Sequence, residues 1–243
     1  MKIIPVIDVL DGIAVHGIRG ERKQYKPLKS LLCRSFNPTE IAYAFELLGF
    51  DSLYLADLDA IIKNTVNYDI YHQIIEKTSF NLMIDAGISN IKRAQKILEN
   101  GTSNIIIGSE TLNSLDFVEK CVNTFGKNKI IVSIDQKGGK VLGKSQTITS
   151  LDTVSFAKKL EDLGVSQIII LELDRVGTEN GSNLTPIRNI LEKTELKVMV
   201  GGGIRNLQEL QELSSFGVSG ALIATVLHNG KVAVEDLKSA GFL

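Results

Sequence analysis

The chain opens on IIPVIDVLDG at residues 3–12, and a variant of the same phrase, IIVSIDQKGG, returns at 130–139. In register, Ile7-Asp8 followed by Gly12 lies over Ile134-Asp135 followed by Gly139, an offset of 127 residues. Other matches follow in the same order. Gly49 through Leu58-Asp59 lies over Gly164 through Leu173-Asp174 at an offset of 115. Gly87-Ile88-Ser89-Asn90 with Gly101 lies over Gly203-Ile204-Arg205-Asn206 with Gly217 at 116, and Ile107-Gly108-Ser109 over Ile223-Ala224-Thr225 at 116. Ordered self-similarity of this kind marks a repeated structural unit. The fall from 127 to 115 places an insertion in the first loop, where RGERKQYKPLKS stands at 19–30.

Between these matches, short β-branched runs alternate with longer segments of helical period. The runs at 3–7, 52–56, 82–84, 104–107, 130–134, 167–171, 197–200 and 220–223 lack polar alternation, as strands buried on both faces require. Amphipathic stretches such as Pro38 to Leu48, Asn90 to Leu98 and Leu151 to Leu163 separate them, closed by Gly49, Gly101 and Gly164. Strand–helix alternation with short loops gives parallel pairing, in either an open doubly wound sheet or a closed barrel. The repeat selects the barrel: one α/β domain over 1–243, a (β/α)₈ TIM barrel of two homologous half-barrels at about 1–127 and 128–243.

Composition narrows the function classes. With 27 basic and 28 acidic residues and a net charge of −1, no overall field attracts nucleic acid or an anionic membrane. Cys33 and Cys121 stand far apart, outside any metal or redox spacing. No apolar stretch approaches the roughly 20 residues of a membrane span, and the opening segment is too short and acidic for a signal peptide. A cytoplasmic protein is expected, without metal or cofactor.

In a barrel of this kind the residues just after each strand gather at one rim, where the chemistry is carried out. Asp8 and Asp135 end the first and fifth strands and so face each other across the mouth, able to divide proton abstraction and donation. An aspartate there can also merely cap the next turn. Gly201-Gly202-Gly203-Ile204-Arg205 follows the seventh strand, where glycines let backbone N–H groups approach an anion and Arg205 could add a bidentate contact or point to solvent. Gly108-Ser109 offers a weaker version after the fourth strand. Its neighbour, Asp85-Ala86-Gly87, carries a carboxylate where an anion wants neutral backbone. The basic first loop, with Arg19, Arg22, Lys23, Lys26 and Tyr25, is either a lid bearing an anion clamp or a solvated loop. The segment 174–181, with Gly177-Thr178, is a second candidate for closure or a plain connector. His16 lies near the mouth, without a partner that marks a metal or a nucleophile triad.

Strand-1 IDVLDGIAV, DLDA at 57–60, SIDQKGGKV of the fifth strand, the GT at 177–178 and VGGGIRN at 200–206 together resemble the HisA/HisF family of histidine biosynthesis, and HisA more closely, over essentially the whole chain. The resemblance implies a metal-free (β/α)₈ isomerase performing an Amadori rearrangement of a phosphoribosyl-linked aminoaldose to an aminoketose. It implies Asp8 as the base that removes the C2 proton, and Asp135 as the acid that opens the ribose ring and protonates the Schiff-base nitrogen. The family's substrate has a phosphate at each end. Against that pattern, Ser89 replaces an arginine, Ala224-Thr225 a strand-8 glycine motif, Leu171 a threonine and Val176 an aspartate. A diverged paralogue acting on another phosphorylated metabolite, a cyclase partner of HisF type, and a non-catalytic phosphate-ligand barrel are the alternatives.

Overall fold

Alternation along each strand decides which side chains enter the barrel and which face the helices. The computed structural model describes residues 1–243. Its eight parallel barrel strands are β1 (Lys2–Leu10), β2 (Ser52–Asp57), β3 (Asn81–Asp85), β4 (Asn104–Gly108), β5 (Ile130–Lys137), β6 (Gln167–Glu172), β7 (Lys197–Gly201) and β8 (Gly220–Ile223). They hydrogen-bond in chain order, and β8 returns to β1 with Lys2 opposite Gly220, so the sheet closes. Each of the eight expected apolar runs is one of these strands.

Ile4, Tyr54, Met83, Ile106, Ile131, Ile169, Met199 and Leu222, one from each strand, meet as the buried interior of the barrel. Their neighbours one residue along, such as Ile3, Leu55, Ile84, Ile105, Val132, Ile170, Val198 and Ala221, pack outward against Phe45, Ile74, Ile97, Phe156 and Ile190 of the surrounding helices. Both faces of every strand are therefore apolar, which is why the sequence runs lack alternation.

Helix boundaries follow their caps. Asn37 accepts hydrogen bonds from the Thr39 and Glu40 N–H groups to start Pro38–Leu48, and Gly49 stops it at φ 104°. The stretch expected from Leu151 becomes helical only at Thr153, because the Asp152 side chain accepts from the Val154 and Ser155 N–H groups and so stands outside the helix as its cap.

The insertion after β1 is ordered. Ile13–His16 turns back antiparallel on β1, with Asp8 opposite Val15, and Lys26–Pro27 adds to its other edge. This hairpin rises over the C-terminal rim and forms one wall of the mouth.

Candidate active site

Continuing each interior row two residues at a time toward the rim gives Ile4, Val6, Asp8 on β1, Met83, Asp85 on β3, and Ile131, Ser133, Asp135 on β5. All three aspartates line one cavity at the C-terminal end of the barrel. The cavity is open to solvent and encloses about 1190 Å³ when that opening is counted. Tyr54, Leu171, Val176, Gly202 and Thr225 complete much of its wall.

Asp135 is 4% exposed. Ser133 Oγ donates to its carboxylate at 2.7 Å, the Glu110 N–H at 3.0 Å, and its own N–H donates to Ser109 Oγ at 2.9 Å. A Cβ at Gly108 would come within 3.1 Å of the same carboxylate, close enough that the carboxylate would have to give by a few tenths of an ångström. Gly108 and Ser109 thus hold the acid in place and do not themselves line the cavity. Burial pushes Asp135 up to about 7, against the pull of the Glu110 N–H, and nearby Asp85 pushes the same way.

Burial likewise pushes Asp8 up to about 7, with the Gly17 N–H and then the Arg22 guanidinium pulling it back. Gly17 presses on it: an added Cβ would stand 2.5 Å from Asp8 Oδ2 and 3.5 Å from Val176. Leu171 and Val176, apolar where the resemblance expects a hydroxyl and a carboxylate, supply neither a hydrogen bond nor a charge to these acids. Two carboxylates that titrate near neutrality across one cavity can exchange protons with a ligand in both directions.

The first loop crosses the mouth as a strap. Arg22 Nη2 binds Glu110 Oε2 at 2.8 Å on the β4 loop, and the Arg19 N–H donates to the Val176 carbonyl at 2.9 Å on the β6 loop. Arg22 and Tyr25 line the cavity, whereas Arg19, Lys23 and Lys26 are exposed. The cationic clamp therefore reduces to Arg22, whose charge Glu110 already meets. Gly177 lines the cavity at φ 74°, and a Cβ there would sit 2.6 Å from the Gly17 carbonyl oxygen. Thr178 points elsewhere, its hydroxyl donating to the Arg175 carbonyl at 2.7 Å.

On the β7–β8 side, Gly202 and Gly203 line the cavity at φ 93° and 82°. Added Cβ atoms would lie 2.5 Å from the Glu172 carbonyl oxygen and 2.9 Å from that of Arg175, so the loop passes hard against β6. His16 Nε2 and Thr225 Oγ1 stand 3.0 Å apart beside it. Burial lowers the pKa of His16, and that of His228 to about 4, leaving both rings neutral near pH 7. Arg205 is not brought to this cavity. Its N–H and Nε reach Glu209 at 2.8 and 3.2 Å, a carboxylate 2% exposed at the start of helix Leu207–Ser215, and the arginine itself is exposed. The expected bidentate anion contact gives way to an ion pair with its own helix.

The β3–β4 side is acidic. Asp85 takes the Gly87 N–H at 3.2 Å and Tyr54 OH at 3.3 Å, and burial pushes it up to about 6 against both bonds. Arg93 of the following helix turns onto the carbonyls of Ala86 and Gly87 at 3.1 and 3.2 Å. Two like unit charges about 5 Å apart at an effective dielectric of about 20 repel by about 3 kcal/mol. Tyr54 and Glu110 are cavity residues with no motif to mark them, while Asp85, expected only to spoil an anion loop, and His16, expected near the mouth, both line the cavity; for Asp85 and Tyr54 the two-residue alternation of the strands is the available signal.

The profile of the family described as "Histidine biosynthesis protein" matches residues 2–233. An uncharacterized protein of Methanocaldococcus jannaschii is 36% identical over 240 residues, 98% of this chain and 97% of that one. A protein of Streptococcus thermophilus is 32% identical over 246 residues, 99% and 100% of the two chains, and one of Methanosphaera stadtmanae 30% over 237, 97% and 98%. Both of these carry the name 1-(5-phosphoribosyl)-5-((5-phosphoribosylamino)methylideneamino)imidazole-4-carboxamide isomerase.

A carboxyl whose folded pKa is raised binds protons more tightly in the native state, so its penalty on folding is absent near pH 4 and grows as pH rises to about 7. Asp135→Asn is accordingly expected to be more stable than the parent chain by about 1–3 kcal/mol at pH 8 and equal to it near pH 4, by urea unfolding at both pH values. Equal stability at pH 8 would contradict the burial argument.

Proposed function

This chain belongs to the histidine biosynthesis protein family, and on that premise we propose that it is an aldose–ketose isomerase performing an Amadori-type rearrangement on a phosphoribosyl-linked aminoaldose. The observation that carries the reading is the pair Asp8 and Asp135, both raised to about 7 on the wall of one cavity. The sequence relatives named as isomerases support the reaction class.

In this reading Asp135, protonated, gives its proton to the ring oxygen of the ribosyl amine. The C1–O bond breaks, and the amine nitrogen's lone pair forms the C1=N Schiff base. Asp8, ionised, removes the proton from C2, and the electron pair moves into C1=C2 to leave an enaminol. Return of a proton to C1 and loss of the C2 hydroxyl proton give the aminoketose. No redox partner is consumed, because C1 is reduced as C2 is oxidised. Leu171 and Val176 on the cavity wall add no polar group beside the acids, and burial holds both pKa values near the working range. A phosphate of the substrate sits against the Gly202–Gly203 backbone with the Thr225 hydroxyl, where glycine lets the main chain come close. No helix is long and apolar enough to cross a membrane.

Asp8→Asn and Asp135→Asn are each expected to lower kcat by at least about 100-fold with an unchanged circular dichroism spectrum. The parent enzyme's kcat/KM is expected to follow a bell with both limbs close to pH 7, belonging to the pair as a whole. Full turnover in both variants would discard the assignment. Gly17→Ala supplies an independent check. The clash falls on the tip of a side chain, so stability stays near that of the parent, but the Asp8 carboxylate must move and kcat should fall by about 10- to 100-fold. Unimpaired kcat in Gly17→Ala would mean that the position of Asp8 does not matter.

A further inference from the structure

The two ends of the cavity differ in what they offer a ligand. At the β7–β8 end the wall is glycine backbone at 202 and 203, the Thr225 hydroxyl and two imidazoles that burial keeps neutral, with one carboxylate, Glu179, whose charge Lys231 meets at 2.6 Å and whose other oxygen takes the Asn229 amide. At the β3–β4 end the backbone donors are already occupied by the protein's own acids, the Gly87 N–H by Asp85 and the Glu110 N–H by Asp135. The nearby arginines are occupied too. Arg93 faces carbonyl oxygens of the β3 loop, and Arg22 binds Glu110. Asp85 lines the cavity, and its Oδ2 and Asp135 Oδ2 lie 3.7 and 3.1 Å from the point where a Cβ on Gly108 would stand. The only hydrogen bond that Asp85 Oδ2 receives is the 3.3 Å one from Tyr54, so the oxygen keeps lone-pair capacity to spare.

We propose that Asp85 is a specificity residue that rejects a phosphate at the β3–β4 end and accepts hydrogen bonds from a hydroxyl- or amine-bearing end, so that the substrate carries one phosphate, held at β7–β8. The inference rests on the isomerase reading for the reaction but not for the binding. A phosphate at that end would meet the Asp85 and Glu110 carboxylates beside the Asp135 carboxyl, with Arg22 already paired to Glu110 and Arg93 turned onto backbone carbonyls. It would also find two of the loops' N–H donors taken. An unphosphorylated sugar or amine end instead brings the donors that a carboxylate lacks. The substrates in the names of the two isomerases above carry two phosphoribosyl groups, one more phosphate than the ligand proposed for this chain.

Titration calorimetry tests this with the bisphosphorylated aminoaldose of those names and its two singly dephosphorylated forms. The parent protein is expected to bind one of the singly phosphorylated forms at least 10-fold more tightly than the bisphosphate. Asp85→Asn, which keeps the shape and removes the charge, should narrow that ratio at least 10-fold, and Asp85→Ser serves as a second variant with folding checked by circular dichroism. Preference of the parent for the bisphosphate, or a ratio that neither variant changes, overturns the proposal. Turnover measured alongside keeps the two claims apart. Selective binding of the singly phosphorylated form without isomerisation of any of the three compounds supports the specificity assignment and removes the isomerase reading. Isomerisation that is fastest with the bisphosphate supports the isomerase and removes the specificity assignment.

Discussion

The chemistry open to this barrel depends on carboxylates being held where water cannot fully solvate them. Asp8, Asp85 and Asp135 end strand rows that begin as packed isoleucine and methionine, and the closed sheet gives those side chains no route away from the mouth. Burial is the largest influence on each, and it opposes ionisation. An isolated surface aspartate stays ionised near pH 7 and is a poor acid; these sit near the pH at which a proton moves either way. The same burial makes the native state less stable as pH rises, a cost typical of sites tuned for reaction rather than for stability.

Everything else at the rim limits how far the carboxylates can move. Ser109, Ser133 and the Glu110 N–H fix Asp135 from three directions, and Gly17 and Gly108 leave only the space their neighbours' oxygens occupy. The strap over the mouth is tied to two separate barrel loops, by Arg22 to Glu110 and by Arg19 to Val176. Gly177 and Gly202 allow main chain to meet main chain where any side chain would collide. The glycines are thus needed by the protein's own packing before any ligand arrives.

Much of this was legible in the residues. The eight runs were readable because a parallel strand buried on both faces leaves no polar alternation, and the repeat separated a barrel from an open sheet. Asp8 and Asp135 were readable from their place just past the apolar runs 3–7 and 130–134, although the strands themselves continue to Leu10 and Lys137. Long-range pairing was not: nothing near Arg22 announces Glu110, 88 positions away, so the first loop could not be told from a solvated one. Arg205 shows a local signal given too little weight, since Glu209 lies four residues on and takes its charge. Asp85 was read for what it denied the β3 loop; its position two residues beyond Met83 also carries it into the cavity.

The proposed proton transfers depend on the ionisation of two side chains, which carbon-13 NMR of aspartate-labelled protein observes directly. Titration of the side-chain carboxyl resonances, with Asp8→Asn and Asp135→Asn used to assign them, should find both groups changing charge near pH 7, as a coupled pair. If both titrate near pH 4, as exposed aspartates do, they are solvated and ionised throughout the physiological range, and the central claim is wrong.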